Sequence, residues 1–110
     1  MADFIKGDVV VLPFPFSHFG EYKKRPALVI ARSGPDDLIL CQITSQTVKD
    51  SAAIPVGDSD FESGSLRQSS NVRPNRIFTV DQSIVMYLAG HLKPEKVKQV
   101  IDSIIRCISE

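Results

Sequence analysis

The sequence predicts a mainly β protein with a C-terminal α-helix, arranged as a small, mostly antiparallel barrel with the helix laid against it. Two observations lead to this prediction. Short runs of β-branched and apolar residues recur as far as Leu92, and clusters of Pro, Gly and polar residues separate them. The last segment differs, because its apolar residues recur at the spacing of a helix rather than of a strand.

Each apolar run is short enough for one strand, and five to seven strands are expected. Pro13 and Pro15 are expected to end the first strand, because proline removes a donor from the ladder. The second run is too continuously apolar to have a solvent-exposed face. It is expected to pair with the third run as a hairpin. Residues 57–64 are predicted as an acidic turn, 73–75 break a strand, and 83–92 fit either a strand or a helical turn. The predicted strands are 8–16, 27–31, 38–44, 52–56, 66–72 and 77–80.

The C-terminal helix is the clearest predicted element. Its apolar residues lie three or four positions apart and therefore form one stripe. Pro94 suits the first turn, and Glu95 suits the positive end of the helix dipole. The stripe is expected to pack on the core, and it consists of Val97, Val100, Ile101, Ile104, Ile105 and Ile108.

The chain has the length of one domain, which is predicted to span residues 1–110. With 43% hydrophobic residues it needs neither a disulfide nor a metal to fold. Cys41 and Cys107 are interpreted as buried, reduced thiols. Because the sequence shows no signal peptide and no apolar run of membrane-spanning length, we expect a soluble, cytoplasmic protein.

Charge is balanced over the whole chain but segregated along it. Thirteen basic and thirteen acidic residues argue against nucleic-acid binding by the entire surface, while a local patch stays open. Residues 50–62 carry four acids and no base, and residues 63–80 carry three arginines and no acid. Two short segments thus hold six cations, which either bind an anion or simply face solvent. They are Lys23, Lys24, Arg25, Arg67, Arg73 and Arg76.

Arg25 and Thr44 are expected to meet at one end of the sheet. Arg25 precedes Pro26, which holds its backbone extended at the entrance of the second strand. Thr44 and Ser45 end the third strand, and in a hairpin the start of one strand lies beside the end of the other. An arginine offers planar, bidentate donors to a phosphate. The alternative is that Arg25 only caps a strand and Thr44 only belongs to a turn.

No other catalytic chemistry is indicated by a motif. His18 and His91 do not lie near a cysteine or another histidine at metal-ligand spacing, so we expect no metal and no other cofactor. Neither a Gly-rich phosphate loop nor a GxSxG motif occurs. Cys41 lies in an apolar run that disfavours its thiolate. His91 is interpreted as a surface or capping residue in the turn before the helix.

The residues around Arg25 and Thr44 resemble those of the MazF/PemK toxins, a family of ribosome-independent endoribonucleases called mRNA interferases. The resemblance covers nearly the whole chain. It runs from KGDVVVLPF through KKRPALVIAR, LILCQITSQ, GSLRQSSNV and RIFTVDQ to GHLKPEKVKQVIDSII. The strongest pieces are RPALVI and the ITS that follows the next strand. Each is moderately specific alone, whereas their order and spacing together are quite specific.

The resemblance implies the small SH3-like barrel shared by the MazF, PemK and gyrase-poison toxins, with a C-terminal helix. It also implies a homodimer that binds single-stranded RNA across the dimer groove, and a cognate antitoxin whose acidic tail covers that groove. The implied reaction is sequence-specific and metal-independent. The 2′-hydroxyl attacks the adjacent phosphate and leaves a 2′,3′-cyclic phosphate and a 5′-hydroxyl end.

The resemblance also implies roles for individual residues. Arg25 would stabilise the phosphorane, and Thr44 would donate a hydrogen bond to a phosphate oxygen. Some members carry an acidic residue, proposed as general base, where this chain has Asn75. His18 is the candidate replacement, because the ordinary pKa of histidine lies near neutrality. The expected catalytic residues are therefore Arg25, Thr44 and His18. The expected RNA-binding residues are Lys23, Lys24, Ser45, Gln46, Arg67, Arg73, Asn75 and Arg76.

Two other functions stay open at this point. One is a relative that binds RNA but has weak or no nuclease activity, which Asn75 keeps open. The other is an inhibitor of a host protein such as gyrase, which would act through the C-terminal helix surface and would not need Arg25 or Thr44. The presence of both residues favours the nuclease.

Overall fold

The computed structural model describes residues 3–14, 23–46 and 52–110. These parts form seven antiparallel strands and one α-helix. Two short 3-10 turns, Asp58–Asp60 and Gln82–Ile84, precede the fifth and the seventh strand. The longer elements are β1 (Asp8–Phe14), β2 (Lys23–Ser33), β3 (Asp37–Thr44), β4 (Ile54–Val56), β5 (Phe61–Gly64), β6 (Ser70–Asp81), β7 (Tyr87–Leu92) and α1 (Pro94–Ser109).

The sheet curls until its two edges meet. Its strand order is β4-β6-β3-β2-β1-β7-β5, so β4 and β5 form opposite edges. Only residues 57–60 separate these two strands along the chain. The 3-10 turn between them therefore joins the edges and closes the sheet into a barrel. The predicted mainly β fold with a C-terminal helix is confirmed.

The central strands are buried on both faces. In β2, Leu28 and Ile30 pack into a cluster that α1 covers, whereas Ala27 and Val29 pack into a second cluster on the other face. A strand with two buried faces carries no alternation of polar and apolar residues. This explains the continuous run ALVI and confirms that this part of the second strand has no solvent-exposed face.

Helix α1 begins at Pro94, as the sequence predicts, and is anchored to the turn that closes the barrel. The amide of Lys93 donates a hydrogen bond to the carbonyl oxygen of Asp60 at 2.9 Å. Lys96 Nζ lies 3.6 Å from Asp60 Oδ1 and donates a hydrogen bond to the carbonyl oxygen of Pro55. Within the described residues, α1 is too short and too polar to cross a membrane.

The apolar stripe of α1 is buried only in its first turns. Val97, Val100 and Ile104 pack on the core. Ile105 and Ile108 are 53% and 74% exposed, so the expectation that the whole stripe is core is wrong. The helix extends past the part of the sheet that it covers, and its last turn therefore presents apolar side chains to solvent.

Pro13 and Pro74 do not end strands as predicted. β1 continues through Pro13, which lies opposite Lys24 of β2, and Pro15 lies outside the described residues. β6 continues through Pro74, because its ladder with β3 is interrupted there by a bulge and no donor is required. Two predicted strands are thus one long strand.

One strand near the barrel closure escaped prediction, and another was left open. β5 lies within the predicted acidic turn. Residues 83–92, which fit either a strand or a helical turn, contain the end of a 3-10 turn followed by β7. β5 has only four residues, too few to show an alternating pattern. Its last residue, Gly64, has φ of 71°, and a Cβ there would lie 2.2 Å from the carbonyl oxygen of Ala89. The close approach of β5 to β7 thus requires glycine.

A buried carboxylate ties the N-terminal segment to β7. Asp8 is only 7% exposed. Its Oδ2 accepts a hydrogen bond from the amide of Ile5 at 2.9 Å, and its Oδ1 lies 2.8 Å from His91 Nδ1. Gly7 has φ of 100°, and a Cβ there would lie 2.8 Å from His91 Cε1. His91, expected in a turn at the surface, is instead a strand residue that partners the buried carboxylate.

We predict that Asp8→Ala lowers the free energy of unfolding by about 1–3 kcal/mol, because it removes the acceptor of Ile5 and the partner of His91. Glu62→Ala is the matched control, since Glu62 is exposed on β5. We expect the control to change stability by about 0.5 kcal/mol or less. Urea unfolding measures both variants, and equal effects would contradict the structural role of Asp8.

Candidate functional site

The register between β2 and β3 brings Arg25 and Thr44 to the same end of the sheet. Leu28 pairs with Cys41 and Ala27 pairs with Gln42. Continuing this register by two residues places Arg25 opposite Thr44. Residues that face each other in an antiparallel pair point to the same side of the sheet. The predicted meeting of the two residues is therefore consistent with the strand pairing.

The neighbouring strand β6 adds an arginine to the same side of the sheet. Thr44 pairs with Asn71. Arg73 lies two residues further along β6 and so shares the face of Asn71. Further from the strand ends, this face carries the second apolar cluster, including Ala27 and Leu40. The candidate site is thus the polar continuation of a buried sheet face.

Thr44 is held in place by the turn that follows β3. Its side chain is only 8% exposed, and its hydroxyl oxygen accepts a hydrogen bond from the amide of Gln46 at 3.2 Å. The hydroxyl makes no other hydrogen bond within the described ranges, and its proton can donate because a threonine hydroxyl both accepts and donates. Ser45 and Gln46 are exposed beside it.

Arg25 is half-buried and, among the described residues, no side chain or carbonyl accepts a hydrogen bond from its guanidinium. Arg32, at the other end of the same strand, has a structural role instead. It donates to the carbonyl oxygens of Phe4 and Pro35 at 2.7 and 2.8 Å, and to Gln82 Oε1. The two arginines of β2 therefore differ in availability, and only Arg25 is open to an anionic ligand.

The other predicted cations are equally unpaired. The ion pairs formed within the described ranges use Lys96, Lys98 and His91. None of them uses a cation at the candidate site. A cation that lacks an internal partner is available to a polyanion. The predicted cations that share this property are Lys23, Lys24, Arg25, Arg67, Arg73 and Arg76.

Arg73 has an unusual environment. Its Nε is buried, yet no acceptor lies within hydrogen-bond distance in the described parts of the chain. A buried donor without an acceptor costs free energy, which a bound ligand can recover. The backbone of Arg73 is fixed, because its carbonyl oxygen accepts a hydrogen bond from Cys41 Sγ at 2.9 Å.

Cys41 is suited to this supporting role because it stays protonated. Burial, with a smaller contribution from nearby Cys107, raises the pKa of the Cys41 thiol to about 12. The thiol therefore remains a donor to the Arg73 carbonyl over the physiological range. Cys41 is buried as predicted, whereas Cys107 is exposed on α1, so the expectation of a second buried thiol is wrong.

The bulge in β6 presents two further predicted residues. Ile43 pairs with Val72 and Cys41 pairs with Ile77, so one residue of β3 lies opposite four residues of β6. The three additional residues of β6 are 74–76. Asn75 and Arg76 are exposed there, beside Arg73. The bulge thus places an amide and a cation next to the unpaired guanidinium.

The structure brings most predicted site residues to one end of the sheet. Lys23 and Lys24 are exposed at the start of β2, and Arg67 is exposed in the loop before β6. His18 lies outside the described residues. Sequence analysis missed Gln42 and Asn71, which share the face of Thr44 by register. The alternation of Leu40, Gln42 and Thr44 was the available signal.

Two unpaired arginines and a hydroxyl donor at one end of a rigid sheet are equipped to bind a phosphate. Among the described residues, no three or more His, Cys, Asp or Glu side chains are grouped so that they could hold a metal ion.

The sequence matches the model of the PemK-like, MazF-like toxins of type II toxin–antitoxin systems over residues 5–108. The chain belongs to this family. No curated protein sequence gives a significant match.

Solved MazF-like toxins share the fold at low sequence identity. An endoribonuclease in complex with its cognate antitoxin from a mycobacterial species superposes with a TM-score of 0.77 at 13% identity, covering 97% of this chain and 96% of that chain. The Mycobacterium tuberculosis toxin MazF-mt6 gives 0.72 at 18% identity, covering 93% and 96%. MazF in a MazE–MazF structure from Deinococcus radiodurans gives 0.75 at 16% identity, covering 96% and 95%.

Proposed function

We propose that this MazF-like toxin is a metal-independent endoribonuclease that cleaves single-stranded RNA at a specific short sequence. The observation that carries the proposal is the set of unpaired groups at one sheet end: Arg25, Arg73 and the hydroxyl of Thr44. The mycobacterial relative described as an endoribonuclease has the same fold at 13% identity. Messenger RNA, the proposed substrate, is translated in the cytoplasm, so we propose that the toxin acts there. Free thiols such as Cys41 and Cys107 stay reduced in that compartment.

In the proposed reaction the 2′-oxygen of the RNA attacks the adjacent phosphorus while the bond from phosphorus to the 5′-oxygen breaks. The 2′-hydroxyl proton passes to a general base, and the leaving 5′-oxygen gains a proton. The products are a 2′,3′-cyclic phosphate and a 5′-hydroxyl. His18 remains the candidate base, because the amide of Asn75 does not accept a proton near neutrality.

The protein contributes charge stabilisation to this displacement. Negative charge builds on the non-bridging oxygens as phosphorus becomes five-coordinate. Arg25 offers two parallel N–H donors to these oxygens, and Thr44 offers one O–H donor. Arg73 adds a second guanidinium, half-buried and without an ion-pair partner among the described residues. These groups are fixed by strands rather than by loops, so little reorganisation is needed at the moment of reaction.

We predict that Arg25→Ala lowers the rate of RNA cleavage about 10²–10³-fold, because one fixed donor group to the transition state is lost. The measurement is cleavage of a long single-stranded RNA in the presence of EDTA, with end-group analysis of the fragments. Arg106→Ala is the matched control, since Arg106 is exposed on α1, in its last turn.

Discrete fragments that carry 2′,3′-cyclic phosphate ends, retained in the control and lost in Arg25→Ala, are the expected result. RNA binding without cleavage by the wild type would favour the inactive relative. Neither binding nor cleavage would direct attention to protein targets such as gyrase.

The proposed toxin is a homodimer, and an exposed apolar surface on β7 supports this. Met86, Tyr87 and Leu88 are 44%, 53% and 53% exposed. β5 pairs with β7 from Gly90 to Leu92, and the Ser65 amide donates a hydrogen bond to the Ala89 carbonyl oxygen. In the described parts of the chain, no strand pairs with Tyr87 and Leu88 on that side, so they form an open edge. An apolar open edge is a surface that a second copy covers.

We predict that Leu88→Glu converts the protein from dimer to monomer, because a buried charge at the dimer interface is costly. Light scattering after size exclusion measures the mass, which should fall from twice 12.1 kDa to 12.1 kDa. Ile5→Glu is the control, since Ile5 is 56% exposed but lies outside β7. A dimer that survives Leu88→Glu, or that dissociates only in the control, would refute this interface.

A cognate antitoxin is the proposed protein partner. The mycobacterial and Deinococcus relatives were solved with their antitoxins. The unpaired cations at the candidate site suit an acidic, partly disordered segment by the same electrostatics that suit RNA.

We predict that replacing Lys23, Lys24 and Arg25 together by Gln weakens binding of the acidic protein encoded beside this toxin about tenfold or more at low salt. The control replaces Lys98 and Arg106 on α1 by Gln, and its affinity should stay within about twofold of the wild type. Titration calorimetry measures both. Equal affinities for the wild type and the triple variant would rule out this site of neutralisation.

A further inference from the structure

A small polar cavity lies where β4 ends and β6 begins. Its volume is about 130 Å³. The apolar side chains of Val56, Phe61 and Leu66 line one part, and polar side chains line the other. The polar residues are Asp58, Arg67 and Gln68, with Ser69 beside them.

The cavity lies at the same end of the sheet as the proposed catalytic groups. Asn71 of β6 pairs with Thr44 on one side and with Pro55 on the other. Val56, which lines the cavity, pairs with Ser70. Two strand spacings, about 10 Å in total, therefore separate the strand of Thr44 from the strand that borders the cavity. The two sites lie on opposite faces of the sheet, because Val56, Phe61 and Leu66 belong to the first apolar cluster whereas Thr44 shares the face of the second. A nucleotide beyond the cleaved phosphate therefore reaches the cavity around the end of the sheet.

The polar side chains of the cavity are not used by the fold. The side chains of Asp58 and Arg67 make no hydrogen bond or ion pair within the described parts of the chain, and Gln68 contributes only its backbone carbonyl, to the hydroxyl of Ser70. Asp60, two residues after Asp58, differs. Its side chain accepts from the amide of Gly57 at 2.9 Å and pairs with Lys96. One acid of the turn is therefore structural and the other is free.

We propose that this cavity binds one guanine base of the RNA, at the same end of the sheet as the phosphate that is cleaved. The proposal rests on the proposed endoribonuclease function and adds a determinant of its sequence specificity. Proteins read single-stranded RNA by taking an unstacked base into a pocket and binding its edges. Pockets for drug-sized ligands measure roughly 300–1,000 Å³, so a cavity less than half as large suits a single ring system.

Guanine is the base whose hydrogen-bonding groups fit the polar residues of the cavity. Its Watson–Crick edge carries two adjacent donors, N1–H and the 2-amino group, which together match the two oxygens of the Asp58 carboxylate. Its O6 and N7 are acceptors, which Arg67 is able to serve with two parallel donors. Adenine, cytosine and uracil lack the pair of adjacent donors.

The test uses short 2′-O-methyl oligonucleotides, which have no 2′-hydroxyl and so bind without being cleaved. The oligonucleotides are compared in pairs. The two members of a pair differ at one position, which carries guanine in one and inosine, which lacks the 2-amino group, in the other. Each position is tested in turn. The wild type should bind the guanine form about tenfold or more tightly at one position. Asp58→Asn should abolish that preference, because an amide presents a donor where the carboxylate accepts. Glu62→Gln is the control with the same loss of charge, outside the cavity, and should keep the preference.

Equal affinities for guanine and inosine at every position in the wild type would overturn the proposal. So would a guanine preference that persists in Asp58→Asn. Cleavage-site mapping of the same variants on a long RNA distinguishes this outcome from failure of the nuclease itself. A wild type that cleaves without guanine preference refutes only the base pocket. A wild type that prefers guanine in binding but never cleaves refutes only the nuclease.

Discussion

The strand register at one end of the barrel is the constraint on which the candidate site depends. β2, β3 and β6 are neighbours, and one face of these strands is apolar along most of its length. At the strand ends this face changes to Arg25, Thr44 and Arg73. A slip of one residue would turn these side chains to the opposite face and expose the core. The packing of the core thus also fixes the geometry of the site.

The charged residues of the chain divide into two groups with different roles. Asp8 and Arg32 are engaged by hydrogen bonds that tie the N-terminal segment to the barrel, and Lys96 anchors the helix to the closing turn. The cations at the sheet end have no such partners among the described residues. This division explains how a chain with zero net charge can present a cationic site.

Local patterns predicted the parts of the fold that local sequence determines. The helix and the first three strands followed from periodicity and from a short hairpin, and the strand pairing is consistent with the predicted meeting of Arg25 with Thr44. Long-range features did not. β5 is too short to show a pattern, the bulge at Pro74 depends on the pairing with β3, and the partnership of His91 with Asp8 joins opposite ends of the chain. Asp58 was classed with its turn, because sequence alone does not tell a free acid from a structural one.

The proposed function depends most directly on binding of the RNA phosphate by Arg25 and Arg73. The most direct measurement is the nuclear magnetic resonance of arginine Nε–H groups, titrated with a 2′-O-methyl oligonucleotide that is not cleaved. We expect the signals of Arg25 and Arg73 to shift on binding, while those of Arg32 and Arg106 do not. Binding that leaves Arg25 and Arg73 unchanged would contradict it.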